Sequence, residues 1–302
     1  MITSHEINSK LKWIEVLNPT SEEQSQLNDQ GITSEFLFYA LDPNESARTE
    51  IDNNTGSILV MYDVMTPDSQ ALTEPVALVF TRDGNFYSIA RNSTSAIADQ
   101  LFQTTTQTVG RDSMTAIDIY LNGAFVIISE YINAIKNLNR KRNVIQNNLR
   151  DHLTENDMIS LVELQTQVIY MTDSLQTDRQ ATQQLQHLYP GTITDVQKEK
   201  FQDLIVENSQ AVDMSNQAGE VIQSINAAYS SIHNQKLDRS IRLLTVVQAV
   251  MAVPTVITGF YGMNVFLPFA DLHNAWLIAI FGSAAIIAVE LWVLFKNGFF
   301  GK

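Results

Sequence analysis

Two long apolar blocks stand near the C-terminal end of the chain, LLTVVQAVMAVPTVITGFY at 243–261 and WLIAIFGSAAIIAVELWVLF at 276–295. Each matches the roughly 20 residues an α-helix needs to cross a bilayer, so both are expected to span. Upstream the pattern is different. SILVMYDVM at 57–65 and PVALVFTRDGNFYSIA at 75–90 are rich in β-branched and aromatic residues, and the second is divided by Asp83-Gly84, a hairpin-turn signal. WIEVL at 13–17 is a third strand candidate, while 33–50 and 94–108 read as helices beside these strands. A small α/β domain over residues 1–110 is the result.

No proline then occurs before Pro190, and Ile117, Tyr120, Leu121, Ala124, Ile127, Ile128, Tyr131, Ile135 and Leu138 recur at helical spacing. Two long antiparallel helices are expected, at 112–150 and 155–188. Tyr189-Pro190-Gly191 stops the second, and Thr194 with Gln197 forms a capping-box pattern for a third. That third helix should run unbroken into the first apolar block, roughly 90 Å at ~1.5 Å per residue. Residues 111–242 therefore read as a stalk, 243–261 and 276–295 as spans joined by a loop at 262–275, and 296–302 as a short tail.

Charge orients this arrangement. Lys236, Arg239 and Arg242 precede the first span, Lys296 and Lys302 follow the second, and the loop between them has neither Lys nor Arg. The positive-inside rule puts both termini in the cytoplasm and the loop outside the cell membrane. Trp276 and Trp292 suit anchoring at the two interfaces. The whole chain of 302 residues carries a net charge of −14; with five basic and three acidic residues from 236 onward, the part before it holds 14 basic and 30 acidic residues, a net of −16. So acidic a body excludes a general nucleic-acid binder. Cysteine is absent and the five histidines are scattered, which excludes a structural zinc site of ordinary spacing. The N-terminus has no apolar leader pattern, so insertion is expected from the C-terminal pair. Glu290, the acid within the second span, is expected near the inner interface and paired with an arginine of the collar.

The first span is not uniformly apolar. Thr245, Gln248 and Thr255 fall on one helix face with Ala252 and Gly259, and Asp238 and Ile241 extend that face downward. The second span has only Ser283 and Glu290 as comparable exceptions. A small, polar face inside a bilayer suits either close helix packing or the lining of a watery path, and the spacing alone leaves both open. Two spans cannot enclose a path by themselves, so conduction would require an oligomer with the first span inside.

At the outer end of that face stands Tyr261-Gly262-Met263-Asn264. Placed directly after the first of two C-terminal spans, with basic flanks and a long preceding helix, it resembles the signature of the CorA family of divalent-cation channels. The resemblance implies a funnel-shaped homopentamer with a cytoplasmic α/β domain, a stalk of long helices and a pore lined by the first spans. It implies pore-lining roles for Ala252, Thr255 and Gly259, and a hydrophobic constriction at Ile241 and Leu244. Such a ring blocks a hydrated ion by dewetting. Mg²⁺ sheds water reluctantly, so a ring of neutral Asn264 amide oxygens would accept hydrogen bonds from its hydration shell without trapping the ion. Gly262 would let the backbone approach the axis, with Met263 packed behind. The chain departs from the family's pattern where Asp238 replaces a common Asn at the inner entrance, and in some members the span's proline is displaced by one position from Pro254.

The resemblance further implies feedback by cytoplasmic Mg²⁺ bound between carboxylates of neighbouring subunits. Asp203 falls at the stalk position of such an acid, with Asp63 or Asp68 facing it from the small domain. The expected function is channel-type Mg²⁺ transport, with Co²⁺ and Ni²⁺ as possible companions, lipid as surroundings and no covalent catalysis. A Zn²⁺ transporter of the same family and a membrane-tethered scaffold are the alternatives.

Overall fold

The computed structural model describes residues 1–66, 73–91, 113–148, 155–189, 193–263 and 274–296. Among them the chain forms two compact units, Met1–Asn226 and Ala227–Lys302.

The first unit is built on a six-stranded sheet in the order β1-β2-β6-β5-β4-β3. Its strands are β1 Ile2–Asn8, β2 Leu11–Leu17, β3 Arg48–Ile51, β4 Ile58–Met65, β5 Thr73–Phe80 and β6 Phe86–Ala90. Only β2 and β6 pair in parallel; the other neighbours are antiparallel. The expected hairpin is present: Gly84 takes a φ of 89° and its N–H donates to Thr81 O at 3.0 Å, closing the turn between β5 and β6. Period-2 alternation sends successive side chains to opposite faces of the sheet, and β4, β5 and β6 are buried on both. One face, with Ile14, Val16, Leu59, Met61, Val79 and Ile89, is covered by helices α1 Ser21–Asp29 and α2 Ser34–Leu41. The other, with Trp13, Val60, Tyr62, Leu78 and Phe80, packs on the long helices α3 Ala116–Asn148 and α4 Glu155–Leu188 and on the start of α5, Asp195–Tyr261. Sheet and stalk therefore share one core.

Three local readings change. The segment 33–50 is not one helix: α2 ends at Leu41, and Arg48–Ile51 becomes a strand. Pro43 follows the C-cap residue Asp42, whose Oδ1 accepts from Asn44 N at 2.9 Å in a turn, and Thr49 Oγ1 donates to Ala181 O at 2.7 Å, so β3 is fixed from both sides. The polar N-terminus forms β1, whose pairing comes from the backbone of β2. The segment 21–29 forms α1, closed by a reciprocal Thr20–Glu23 capping box. The helix expected at 94–108 lies outside the described residues.

The expected cap at the start of α5 is formed. Gln197 N donates to Thr194 Oγ1 at 3.3 Å and Thr194 N to Gln197 Oε1 at 3.0 Å. Gln197 Nε2 also reaches Asp118 Oδ2 at 3.0 Å, tying this helix start to that of α3. From there α5 is a single 67-residue helix, with Pro254 inside it. The last helix, α6, is Ala275–Lys296.

Candidate ion path and the acids of the body

Both apolar helices are long enough to cross a bilayer, and little of either is buried within the chain. Among the described residues from 243 onward only Val246 and Ser283 are buried. Ile241 and Leu244 stand 60% and 58% exposed. The hydroxyls are satisfied along their own helix: Thr245 donates to Ile241 O at 2.9 Å, Thr255 to Met251 O at 2.8 Å and Thr258 to Pro254 O at 2.8 Å. Threonine in an apolar span thus costs no unpaired group. Gln248 and Ala252 are exposed on the same helix, and Asp238 is exposed below them.

The glycines separate two roles. A Cβ at Gly259 would meet nothing within 4 Å, so no described residue of the chain requires a small side chain there. At Gly262 a Cβ would lie 3.3 Å from Thr258 O, where the helix closes: Gly262 N donates to Thr258 O at 3.0 Å and Met263 N to Phe260 O at 3.3 Å. Tyr261 stands edge-to-face with Phe260 at 6.2 Å. Asn264 lies outside the described residues.

The second span is tied less well than its sequence suggests. Glu290 Oε2 is buried without a hydrogen-bond partner, and among the described residues no ion pair joins it to Arg239 or Arg242. The collar pairing expected for Glu290 is therefore not made within one chain. Lys296 instead lies over the Trp292 ring, 5.1 Å from its centre.

Of the acids expected to take part in feedback, Asp203 is exposed on α5, and Asp68 lies outside the described residues. Asp63 is engaged within its own chain. Its backbone N–H donates to Asp178 Oδ1 at 2.7 Å, and burial, with Asp173 adding repulsion against the favourable Ser174 hydroxyl, pushes its carboxyl up to about 6. Asp178 is fully buried; burial first and then the nearby Asp63 hold its carboxyl well above the ordinary range. Its Oδ2 and the buried hydroxyls of Tyr62 and Tyr131 have no hydrogen-bond partner. Sequence reading missed Asp178, although the signal is there: it occupies the helical stripe of Met171, Leu175, Ala181 and Leu185, where an acid is out of place. Among the described residues no three His, Cys, Asp or Glu side chains come together as a metal site.

Residues 8–297 match the family described as CorA-like Mg²⁺ transporter protein. The cobalt/magnesium transport protein CorA of Methanocaldococcus jannaschii is 25% identical over 295 residues, covering 96% of this chain and 91% of that protein. The complete structure of the CorA magnesium transporter from that organism superposes with a TM-score of 0.81 at 23% identity, over 96% of this chain and 92% of that one. The cytoplasmic domain of ZntB from Vibrio parahaemolyticus shares the fold more distantly, with a TM-score of 0.62 at 8% identity over 77% of this chain and 93% of that one.

Proposed function

The chain belongs to the family of CorA-like Mg²⁺ transporter proteins, and on that premise we propose that it carries hydrated Mg²⁺ through a pore lined by α5 in a homopentamer. It is an ion transporter by family and not an enzyme. The observation that carries the pore reading is the small and polar face of α5, which the chain leaves unused: Gly259 has open space beside it, and Ile241 and Leu244 are exposed although apolar. A face that its own hairpin does not cover is available to other copies and to a path between them. Asn264 oxygens at the outer mouth would hold the ion through its waters, Thr255 and Gln248 would keep it hydrated further in, and a ring of Ile241 and Leu244 would close the path by dewetting.

With both termini cytoplasmic, the membrane potential drives entry, since two charges crossing 100 mV gain ~4.6 kcal/mol at ~2.3 per charge. Cytoplasmic Mg²⁺ would close the pore by bridging acids of adjacent copies. Because Asp63 is engaged inside its own subunit, Asp203 with Asp68 carries this role. Co²⁺ and Ni²⁺ are admitted by the same logic, because a site that reads a hydrated ion separates similar divalents poorly. The span portion of α5, 243–261, has no His or Cys to favour Zn²⁺, and the likeness to ZntB is one of fold.

The test is flux into proteoliposomes loaded with and without Mg²⁺. Membrane-potential-driven Mg²⁺ entry that exceeds Zn²⁺ entry and falls with internal Mg²⁺ is expected. Zn²⁺ entry in excess would reverse the choice of ion, and absence of all flux would leave a tethered scaffold.

A further inference from the structure

The acidic body keeps an island of positive charge. Four of its 14 basic residues, Lys136, Arg140, Lys141 and Arg142, fall within seven positions near the end of α3. No acid stands between Glu130 and Asp151, so the helix offers them no partner three or four residues away. Among the described residues none of the four is ion-paired. Arg140 and Arg142 reach only the amide oxygens of Asn137 and Asn143, and the partly buried Nε of Arg142 has no partner at all. Burial lowers the Arg142 pKa, the direction of a cation short of compensation. Complementing the helix dipole does not explain the cluster, because that effect is confined to the last turn, and the last turn of α3 has no basic residue.

Apolar side chains are exposed at the same end. Val144 follows Arg140 by one helical turn and is 62% exposed, and Ile159 and Val162 of α4 are 53% and 56% exposed. A cavity of about 340 Å³ between the helices is lined by Lys141, Val144 and Ile145 on one side and Ser160, Glu163, Leu164 and Gln167 on the other; Glu163 is the one acid of this lining, and it is not ion-paired with Lys141. The opposite end of the same helix pair is marked by the Tyr120–Thr182 hydroxyl contact at 2.7 Å, so α3 and α4 run antiparallel. Along α4, Thr172 meets Ser215 at 2.7 Å and Gln165 meets Asn226 at 3.3 Å. The basic end of α3 therefore lies at the Asn226 end of the first unit.

We propose that this basic, apolar-edged end of α3 and α4 docks on the anionic headgroups of the cytoplasmic leaflet. Unpaired Lys and Arg with exposed Val and Ile beside them are the chemistry of an interfacial contact: the cations meet lipid phosphates and the aliphatic chains enter the headgroup boundary. Each basic residue near such a surface raises occupancy roughly fivefold, and salt screens the effect. An acidic body is repelled from the same leaflet elsewhere, so the island fixes which end of the unit approaches. The inference rests on the reading of 243–261 as a span with the body on the cytoplasmic side.

The chain has no cysteine, so single labels can be placed at will. Full-length protein carrying a fluorophore at Asn143→Cys, on the exposed face, is reconstituted into nanodiscs of phosphatidylglycerol or phosphatidylcholine containing a headgroup-quencher lipid. A second label at Ile278→Cys in α6 reports membrane insertion. Quenching at Asn143→Cys is expected to be at least about fivefold stronger in phosphatidylglycerol, the effect of a single cation at the surface, to fall with added sodium chloride, and to vanish when Lys136, Arg140, Lys141 and Arg142 are all changed to Gln. Equal quenching in the two lipids, with Ile278→Cys quenched in both, overturns the proposal alone and leaves the span intact. An unquenched Ile278→Cys overturns the membrane reading and the proposal together. Loss of the signal to inorganic phosphate, at an ionic strength where sodium chloride has no effect, overturns it in favour of a small-anion pocket.

Discussion

The two units spend similar apolar sequence in opposite ways. In the first, Trp13, Tyr62, Tyr120, Tyr131 and Phe201 are each at most 1% exposed, sealed between the sheet and three helices. In the second, Leu243, Met251, Val256, Ile280 and Phe281 stand open although they are as hydrophobic. Water is enough to drive the first arrangement, because burial within one chain removes its apolar surface. It cannot drive the second, whose side chains find cover only in lipid tails and in other copies, where close packing and polar contacts decide association. Polar groups follow the same division. In the body the buried acid Asp178 of α4 interrupts an apolar stripe, whereas the threonines of α5 answer their own carbonyls and leave the face of that helix free.

The sharpest break of this contrast is at Asn264. It follows the last residue of α5 by three positions in sequence, and Asn264→Ala should leave assembly and melting unchanged while uptake in proteoliposomes falls to the background of empty vesicles. Normal transport by a well-assembled Asn264→Ala protein would remove the mouth from the proposal.

Next in size is a paired truncation. Phe201 is fully buried and tilted against Tyr120 at 6.3 Å, so Phe201→Ala should cost about 3–5 kcal/mol in denaturant unfolding of the detergent-solubilised protein. Met251 is 63% exposed in the span, and Met251→Ala should cost within about 0.5 kcal/mol in the same measurement. Equal losses would mean that the spans pack as the body does.

Much of this division was legible in the sequence because each part carries its own period. Apolar runs of span length, the β-branched stretch at 57–65, the Asp83-Gly84 turn and the Thr194–Gln197 cap are local signals, and the structure forms the strands, turn, cap and helices they indicate. β1 was hidden because an edge strand needs only a partner's backbone, and ITSHEIN offers no apolar run to mark it. β3 was hidden because its state is decided by Val60 and Met61 across the sheet and by Ala181 of α4, all remote in sequence. Asp178 looked like one more solvated acid in an acidic chain. Its burial follows from the register of α4 on β4, which no local pattern states.

That buried pair predicts a pH dependence confined to the body. The folded-state pKa of Asp63 is raised from 3.8 to about 6, and that of Asp178 is raised as well, so both acids bind protons more tightly folded than unfolded. The stability they confer is full below the ordinary carboxylate range and is lost as pH rises through their folded values, by about 1.4 kcal/mol per pH unit for each proton involved. Asp178→Asn keeps the acceptor for Asp63 N–H and removes one proton, so its stability should fall less steeply between pH 4 and 6, and it should exceed wild type at pH 7 by on the order of 1–3 kcal/mol. A wild-type slope retained in Asp178→Asn would show that Asp178 is not the group that titrates. The spans should show no matching change, which makes the pair a marker for the body alone.

The smallest expected effect probes whether the two units communicate. If Mg²⁺ bridges Asp203 of one copy to an acid of the next, it offsets the repulsion between bodies of net charge −16 and favours the closed arrangement by its differential affinity for that state. Asp203 is exposed and is one of 30 acids in the body, so its loss removes only part of the attraction. Asp203→Ala should raise the Mg²⁺ concentration that protects the stalk from protease about twofold, close to RT ln 2 or ~0.4 kcal/mol, as suits a partly solvated pair. The same variant should transport at the wild-type rate when internal Mg²⁺ is absent, because the path along α5 is untouched. If Mg²⁺ fails to protect even the wild type, the body does not sense the ion; if protection is unaltered in Asp203→Ala, sensing belongs to other acids of the same surface.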